Sequence, residues 1–183
     1  MAQKYFRKAA SGVFGTLKVD KDTVYKYVTY TSKYFNPISV YSGRDVIPLT
    51  LESESFVSEL AYGYRLSPKM KGYKEISPTK GVMKLERVYG CTLWDFMYCS
   101  VNPNLLIKVY SNLQELSQTL YEFPWNHNDL HKSNLMVTVK GRVYIIDWGL
   151  SEEKNEFNDD YSDSERLDRY ADQVYKKWLR VRG

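Results

Sequence analysis

Both histidines of the chain, two aspartates and two asparagines crowd into one short stretch, His127–Gly149, HNDLHKSNLMVTVKGRVYIIDWG. Read as structure, it is a polar loop, a strand Leu135–Val137, a turn at Lys140-Gly141 and a second strand Val143–Ile146. Asp147-Trp148-Gly149 follows at once, where a strand ends and the backbone must bend. Such a hairpin delivers Asp129, Asn134 and Asp147 to one end, with apolar residues anchoring it from below. Three hard oxygen ligands or bases converging in this way suit a hydrated magnesium ion and the phosphate it carries.

The run resembles the catalytic loop and metal-binding segment of protein-kinase-like phosphotransferases, H-R-D-L-x-x-x-N followed by D-F-G. His127, Asp129, Leu130 and Asn134 match the first motif at its own spacing, and Asp147 and Gly149 match the second. The resemblance implies ATP and Mg2+ as cofactors, with Asn134 and Asp147 as metal ligands and Asp129 as the base that accepts the hydroxyl proton. His127 becomes a structural residue of the loop. His131 stands where protein kinases carry a lysine near the transferred phosphate, and it joins Asp129 and Lys26 as a catalytic candidate. The implied fold class is α+β: a two-lobed kinase-like fold with a β-rich N-lobe over residues 1–88 and a truncated helical C-lobe over 89–183.

Several elements must position these groups. Ala10–Leu17, in a glycine-containing hairpin, resembles the phosphate-covering loop G-x-G-x-x-G-x-V, with Ala10 in place of the first glycine. Glycine is needed where backbone amides approach phosphate without a side chain between. Gly12, Phe14 and Gly15 are thereby cofactor-binding candidates. Thr23-Val24-Tyr25-Lys26 resembles the V-A-I-K strand, so Lys26 would face the ATP phosphates. Kinases hold this lysine with a glutamate on the following helix. Here the helix reads from Leu51 to Leu66, with Phe56, Leu60 and Tyr64 as its apolar face. Glu59 fits the family pattern best, with Glu54 as the reserve. Val82–Gly90 resembles the strand and hinge between lobes, with Leu85 at the gatekeeper position. Backbone groups from Glu86 to Val88 would then meet the adenine edge.

The remaining segments are read as scaffold. Tyr27–Pro48 is an extended, partly β insertion, and Gly72–Ile76 and Gly81–Leu85 are strands around Ser77-Pro78. Thr92–Tyr98 is a short helix. Asn102-Pro103 caps and starts a long one whose apolar face runs Leu106, Val109, Tyr110, Leu113, Leu116, Leu120 and Tyr121. After Gly149 the chain is acidic and turn-prone to Asp163. Ser162–Glu165 then resembles a capping box before a helix lined by Leu167, Ala171, Val174 and Trp178. Asp168-Arg169-Tyr170 resembles the start of the helix whose aspartate braces the kinase catalytic loop. Lys176, Lys177, Arg180 and Arg182 read as a solvated basic end, with contact to phosphate or RNA as the lesser alternative.

Composition narrows the class. The 183 residues are 43% hydrophobic and 26% charged, ordinary for a folded globular chain. No apolar run is long enough to span a bilayer, so no membrane partner is expected. Cys91 and Cys99 have neither metal spacing nor a disulfide framework, and a reducing, cytoplasmic setting is expected. A net charge of +4 gives no argument for a nucleic-acid partner. The long activation segment and A-P-E motif of regulated protein kinases are missing, and Asn128 replaces the arginine that reads activation-loop phosphorylation. The compact plan is similar to atypical small kinases: the RIO group, the KEOPS-complex kinase, aminoglycoside and choline kinases, and short kinases of large DNA viruses. The expected function is an ATP- and Mg2+-dependent phosphotransferase acting on a protein Ser/Thr hydroxyl. A small-molecule acceptor, hinted at by His131, ranks second because few residues follow Gly149 to enclose one. A nucleotide-binding pseudokinase ranks third. The sequence assigns no oligomeric state.

Overall fold

The computed structural model describes residues 11–12, 15–29, 38–39, 45–46, 48–77, 80–99, 101–155 and 162–182. In chain order these form β1 (Ser11–Gly12), β2 (Gly15–Val19), β3 (Thr23–Thr29), β4 (Ile38–Ser39), β5 (Asp45–Val46), α1 (Leu51–Gly63), β6 (Met70–Ser77) and β7 (Lys80–Glu86). There follow β8 (Gly90–Thr92), α2 (Leu93–Tyr98), α3 (Pro103–Glu122), β9 (Trp125–Asn126), a 3-10 turn (Lys132–Asn134), β10 (Leu135–Thr138), β11 (Val143–Ile145), β12 (Glu152–Glu153) and α4 (Ser162–Arg182). This is a kinase-like arrangement with a β-rich N-terminal sheet and a helical C-terminal part. No helix among the described residues is long and apolar enough to cross a membrane.

The N-terminal sheet has the order β1-β2-β3-β7-β6, all antiparallel. Alternation along β3 turns Lys26 and Val28 inward while Tyr27 and Thr29 face water. Lys26 lies opposite Met83 of β7, a fully buried residue, so the lysine stem runs beneath the sheet. Beyond β7 the chain leaves this sheet. β8 pairs instead with β10, which pairs with β11. The expected partly β insertion at Tyr27–Pro48 contributes the two-residue pair β4 and β5 among its described residues.

Helix α1 joins the two parts. Thr50 caps it by accepting the Ser53 N–H, and Leu51 packs with Val28 and Met83 under the sheet. Val57 and Ala61 belong to the larger core with α2, α3, α4 and the β10–β11 hairpin. Its apolar face is not the expected one. Phe56 is 59% exposed and Tyr64 42%, whereas Glu54, Ser55, Ser58 and Ala61 are buried. Small residues let the helix sit close against its neighbours. The Ser55 hydroxyl is satisfied by donating to the Leu51 carbonyl at 2.7 Å. Of the expected stripe, Phe56 and Tyr64 are left outside while Leu60 is half-buried against the core, and with Glu59 and Gly63 they line a surface groove of about 440 Å3.

Helix α3 follows the sequence closely. Asn102 accepts the Asn104 N–H, Pro103 occupies the first turn, and Leu106, Val109, Leu113, Leu116 and Leu120 are buried. Tyr121, expected on that face, is 54% exposed. Helix α4 packs Leu167, Ala171 and Val174 into the same core, so the two long helices form the floor beneath the β10–β11 hairpin.

Candidate active site

The loop between β9 and β10 carries the first set of candidate side chains, and its geometry is dictated by bonds to its own neighbours. His127 is fully buried. Its Nδ1 accepts the Asp129 N–H at 3.3 Å and its Nε2 faces the Ile146 carbonyl at 3.0 Å. An acceptor at Nδ1 and a carbonyl at Nε2 require the neutral tautomer with its proton on Nε2. Burial, which disfavours the imidazolium, holds the pKa below the usual histidine value despite the surrounding carboxylates. His127 is therefore a neutral strut, as its structural role in the sequence reading requires.

Asn134 closes the loop from the other side. Its Nδ2 donates to the Asp129 carbonyl at 2.9 Å and to Asp129 Oδ2 at 3.2 Å. The Asn134 carbonyl accepts the Ile146 N–H at 2.9 Å. With Nδ2 engaged, the amide oxygen is the atom that Asn134 can offer a cation. His131 caps the 3-10 turn by accepting the Ser133 N–H at Nδ1, which leaves Nε2 3.6 Å from Asp129 Oδ2.

The second set meets from three distant segments. Lys26 Nζ donates to Glu54 Oε1 and to Asp147 Oδ1, both at 2.6 Å. The helix carboxylate that holds the lysine is Glu54, not Glu59. Glu59 lies on the outward face of α1, in the surface groove with Phe56. The physical reason is helix phase: Glu54 shares the inward face with Leu51, Ser58 and Ala61, and five residues further on the backbone has turned well past that face. Burial would lower the Lys26 pKa, but the Glu54 and Asp147 carboxylates outweigh it and hold the ammonium above its ordinary value. Burial raises Glu54 while Lys26 pulls it back, and Lys26 drives Asp147 down against its own burial. One ammonium faces two carboxylates, so the cluster carries excess negative charge.

Asp147 itself stands at a left-handed φ of 65°, with Ile146 between it and the end of β11 at Ile145. Trp148 anchors it: the indole is 1% exposed and packs edge-on to Phe123 at 5.3 Å and His127 at 4.8 Å. Gly149 lets α1 approach, since a Cβ there would lie 3.3 Å from Glu54 Oε2. Its carbonyl accepts the Leu49 N–H at 2.8 Å, tying the residues just before α1 to the Asp147–Gly149 segment.

The remaining expected residues are placed as follows. Gly12 and Gly15 pair across β1 and β2, while Phe14 lies outside the described residues. Glu86 ends β7, where its N–H bonds the Lys69 carbonyl at 2.8 Å, and Val88 follows in the half-buried connection to β8. Asp168, expected to brace the catalytic loop, is exposed. The brace is Asp163, which is 4% exposed and accepts the His127 and Asn128 N–H groups on Oδ2 at 2.7 and 2.9 Å. Its signal was the capping box Ser162–Glu165, which marks a helix start without revealing what the start touches.

Among the described residues no three His, Cys, Asp or Glu side chains form a ready-made metal cage. Magnesium ordinarily takes one or two protein ligands and completes its shell with water and phosphate. The hard oxygen donors of Asn134 and Asp147, beside excess negative charge, fit such an ion.

A family model for the ABC1 atypical kinase-like domain matches residues 71–165, more than half of the chain. A comparison with curated protein sequences finds no match. Among solved structures, the Cydia pomonella granulovirus kinase PK-1 is similar at 21% identity and a TM-score of 0.51, over 75% of this chain and 47% of that one. WbdD is similar at 16% identity and a TM-score of 0.51, over 80% of this chain and 32% of that one. WbdD with the kinase inhibitor LY294002 is similar to the same degree, over 79% and 32%. The chain thus spans less than half the length of these solved structures, which share its fold. The resemblance to atypical members of the protein-kinase-like superfamily holds, and the family match specifies which kind: the chain belongs to the ABC1 atypical kinase-like domain family.

Proposed function

We propose that the chain is an ATP- and Mg2+-dependent phosphotransferase acting on a protein Ser/Thr hydroxyl, with its site between lobes of residues 1–88 and 89–183. The observation that carries this reading is the triangle Lys26–Glu54–Asp147, with both ion pairs at 2.6 Å, drawn together from positions 28 and 121 residues apart. Buried charges are costly unless put to use or fully compensated. A lysine held by one carboxylate beside a second carboxylate is the arrangement that orients nucleotide phosphates next to a cation.

In this reading Lys26, fixed by Glu54, orients the α- and β-phosphates. Gly12, Phe14 and Gly15 would cover the phosphates, and backbone groups of Glu86 to Val88 would meet the adenine edge. Asn134 and Asp147 would hold Mg2+, which when bound neutralises charge on the phosphate oxygens. The acceptor oxygen attacks the γ-phosphorus in line, its proton passes to the Asp129 carboxylate, and the bond from the γ-phosphorus to the bridging oxygen breaks. Asp129 is held for this role by Asn134 and by the bond of its own N–H to His127. His131, 3.6 Å from Asp129, would stand beside the transferred group.

His131 also favours a second reading, in which the acceptor is a small molecule and the chemistry is unchanged. Incubation with labelled ATP and generic protein substrates, then with a metabolite panel, separates the two. Asp129→Ala and Asp147→Ala are expected to abolish transfer. Undiminished transfer in both variants would sink the assignment.

A further inference from the structure

Two consecutive residues of the catalytic loop grip the metal-binding tripeptide from both sides. His127 Nε2 meets the Ile146 carbonyl just before Asp147, and Asn128 Nδ2 donates to the Leu150 carbonyl just after Gly149, each at 3.0 Å. Asp147-Trp148-Gly149 is thus bracketed by side chains adjoining Asp129. We propose that Asn128 is a positioning residue that fixes Asp147 relative to Asp129 and so sets the magnesium requirement of the site. The inference rests on the phosphotransferase reading for its catalytic consequence, though not for the clasp itself.

Three features make Asn128 suited to the task. Its side chain is buried, so the carboxamide–carbonyl bond is shielded from competing water. Its backbone sits at φ 65°, a left-handed conformation that asparagine tolerates better than most residues other than glycine. Its N–H is held by Asp163 Oδ2 at 2.9 Å, so the residue is anchored from the α4 side while its side chain reaches the opposite way. A chain of bonds therefore runs from Asp163 through Asn128 to Leu150. The arginine expected at this position would need a phosphate to complete its bonding. The Asn128 carboxamide needs none, so the clasp is closed in the unmodified chain.

Two substitutions separate the bond from its surroundings. Asn128→Gly keeps the left-handed backbone and the N–H to Asp163 but deletes the carboxamide. Asn128→Asp keeps the size and sets a carboxylate against the Leu150 carbonyl. Hydrogen exchange of the ligand-free protein is read at residues 146–151 against the β10–β11 hairpin, and both variants are expected to exchange faster there than wild type. Thermal stabilisation by ADP with Mg2+, compared with ADP in EDTA, and transfer titrated with Mg2+ give the functional readout. Outer-shell partners of metal ligands typically influence affinity or activity about 10- to 100-fold. Both variants are expected to need about tenfold more Mg2+ and to lose about tenfold or more in kcat, with KM for ATP nearly unchanged. Wild-type exchange in both variants overturns the proposal, as does an unchanged Mg2+ requirement when wild type is active. Impairment of Asn128→Asp alone also overturns it, because repulsion and not the lost bond is then at work. Faster exchange in both variants, with no Mg2+-dependent stabilisation or transfer in wild type, upholds the clasp and refutes the phosphotransferase reading.

Discussion

Replacing Glu54 with Gln, beside Glu59 with Ala, tests the assignment of the lysine partner most directly. Glu54→Gln keeps the shape of the side chain but removes the charge that sits 2.6 Å from Lys26. Lys26 and Glu54 are 7% and 4% exposed, so solvent does little to compensate. Breaking a buried pair by removing one partner costs about 3–5 kcal/mol. Two features of this site put the loss at the lower end. Asp147 remains 2.6 Å from the ammonium, and the burial that pushes Glu54 up no longer opposes a charge at that position. A loss of about 3 kcal/mol, at roughly 2–4 °C per kcal/mol for a chain of this size, lowers Tm by about 6–12 °C. Displacing Lys26 by about 1 Å is expected to cost roughly 100-fold in kcat/KM for ATP. Glu59 is exposed, so Glu59→Ala should stay within about 0.5 kcal/mol and leave transfer unchanged. Differential scanning fluorimetry and an ATP-dependent transfer assay measure both effects. Equal losses in the two variants, or a larger one in Glu59→Ala, would refute the reasoning.

Asp163→Asn should lower kcat more than it raises KM for ATP, because it weakens the acceptor of two loop amides at 2.7 and 2.9 Å without touching the nucleotide side; a pure KM effect in steady-state kinetics would contradict this. Gly90→Ala and Gly63→Ala should move stability in opposite directions. A Cβ at Gly90 would lie 1.9 Å from the Val137 carbonyl oxygen, forcing β8 from β10 at a cost of about 3 kcal/mol or more, whereas one at Gly63 meets nothing within 4 Å and should gain up to about 0.5–1 kcal/mol of helix propensity. Urea denaturation of the two variants checks both signs. Acidification below about pH 6.5 should draw on the stability that the neutral, buried His127 supplies. His127 has a folded pKa below its unfolded value, so the unfolded chain binds more protons there and stability falls as pH falls. Because burial raises Glu54, whose protonation acts in the opposite sense, the comparison is made in Glu54→Gln; a Tm there that holds or rises from pH 7 to pH 5.5 would show that His127 is not buried in its neutral form.

What could be read from the chain alone was local. The motif spacing of His127, Asp129 and Asn134, the turn at Lys140-Gly141 and the approach to Asp147 all lie within one hairpin, where neighbours in sequence are neighbours in space. The long helix after Asn102-Pro103 was legible for the same reason, since its cap and its leucine stripe are encoded turn by turn. Tertiary structure decided the rest. Whether Glu54 or Glu59 meets Lys26 depends on which face α1 turns inward. Hydropathy misleads there, because the buried face is built from Ser55, Ser58, Ala61 and the charged Glu54 while Phe56 stays in water. The choice of Asp163 over Asp168 follows from where α4 begins against the catalytic loop, a contact across 35 and 36 residues that no local pattern encodes. Asn128 looked like a lost arginine in the sequence. Only the fold, by bringing the Leu150 carbonyl to within 3.0 Å, shows the bond that it makes instead.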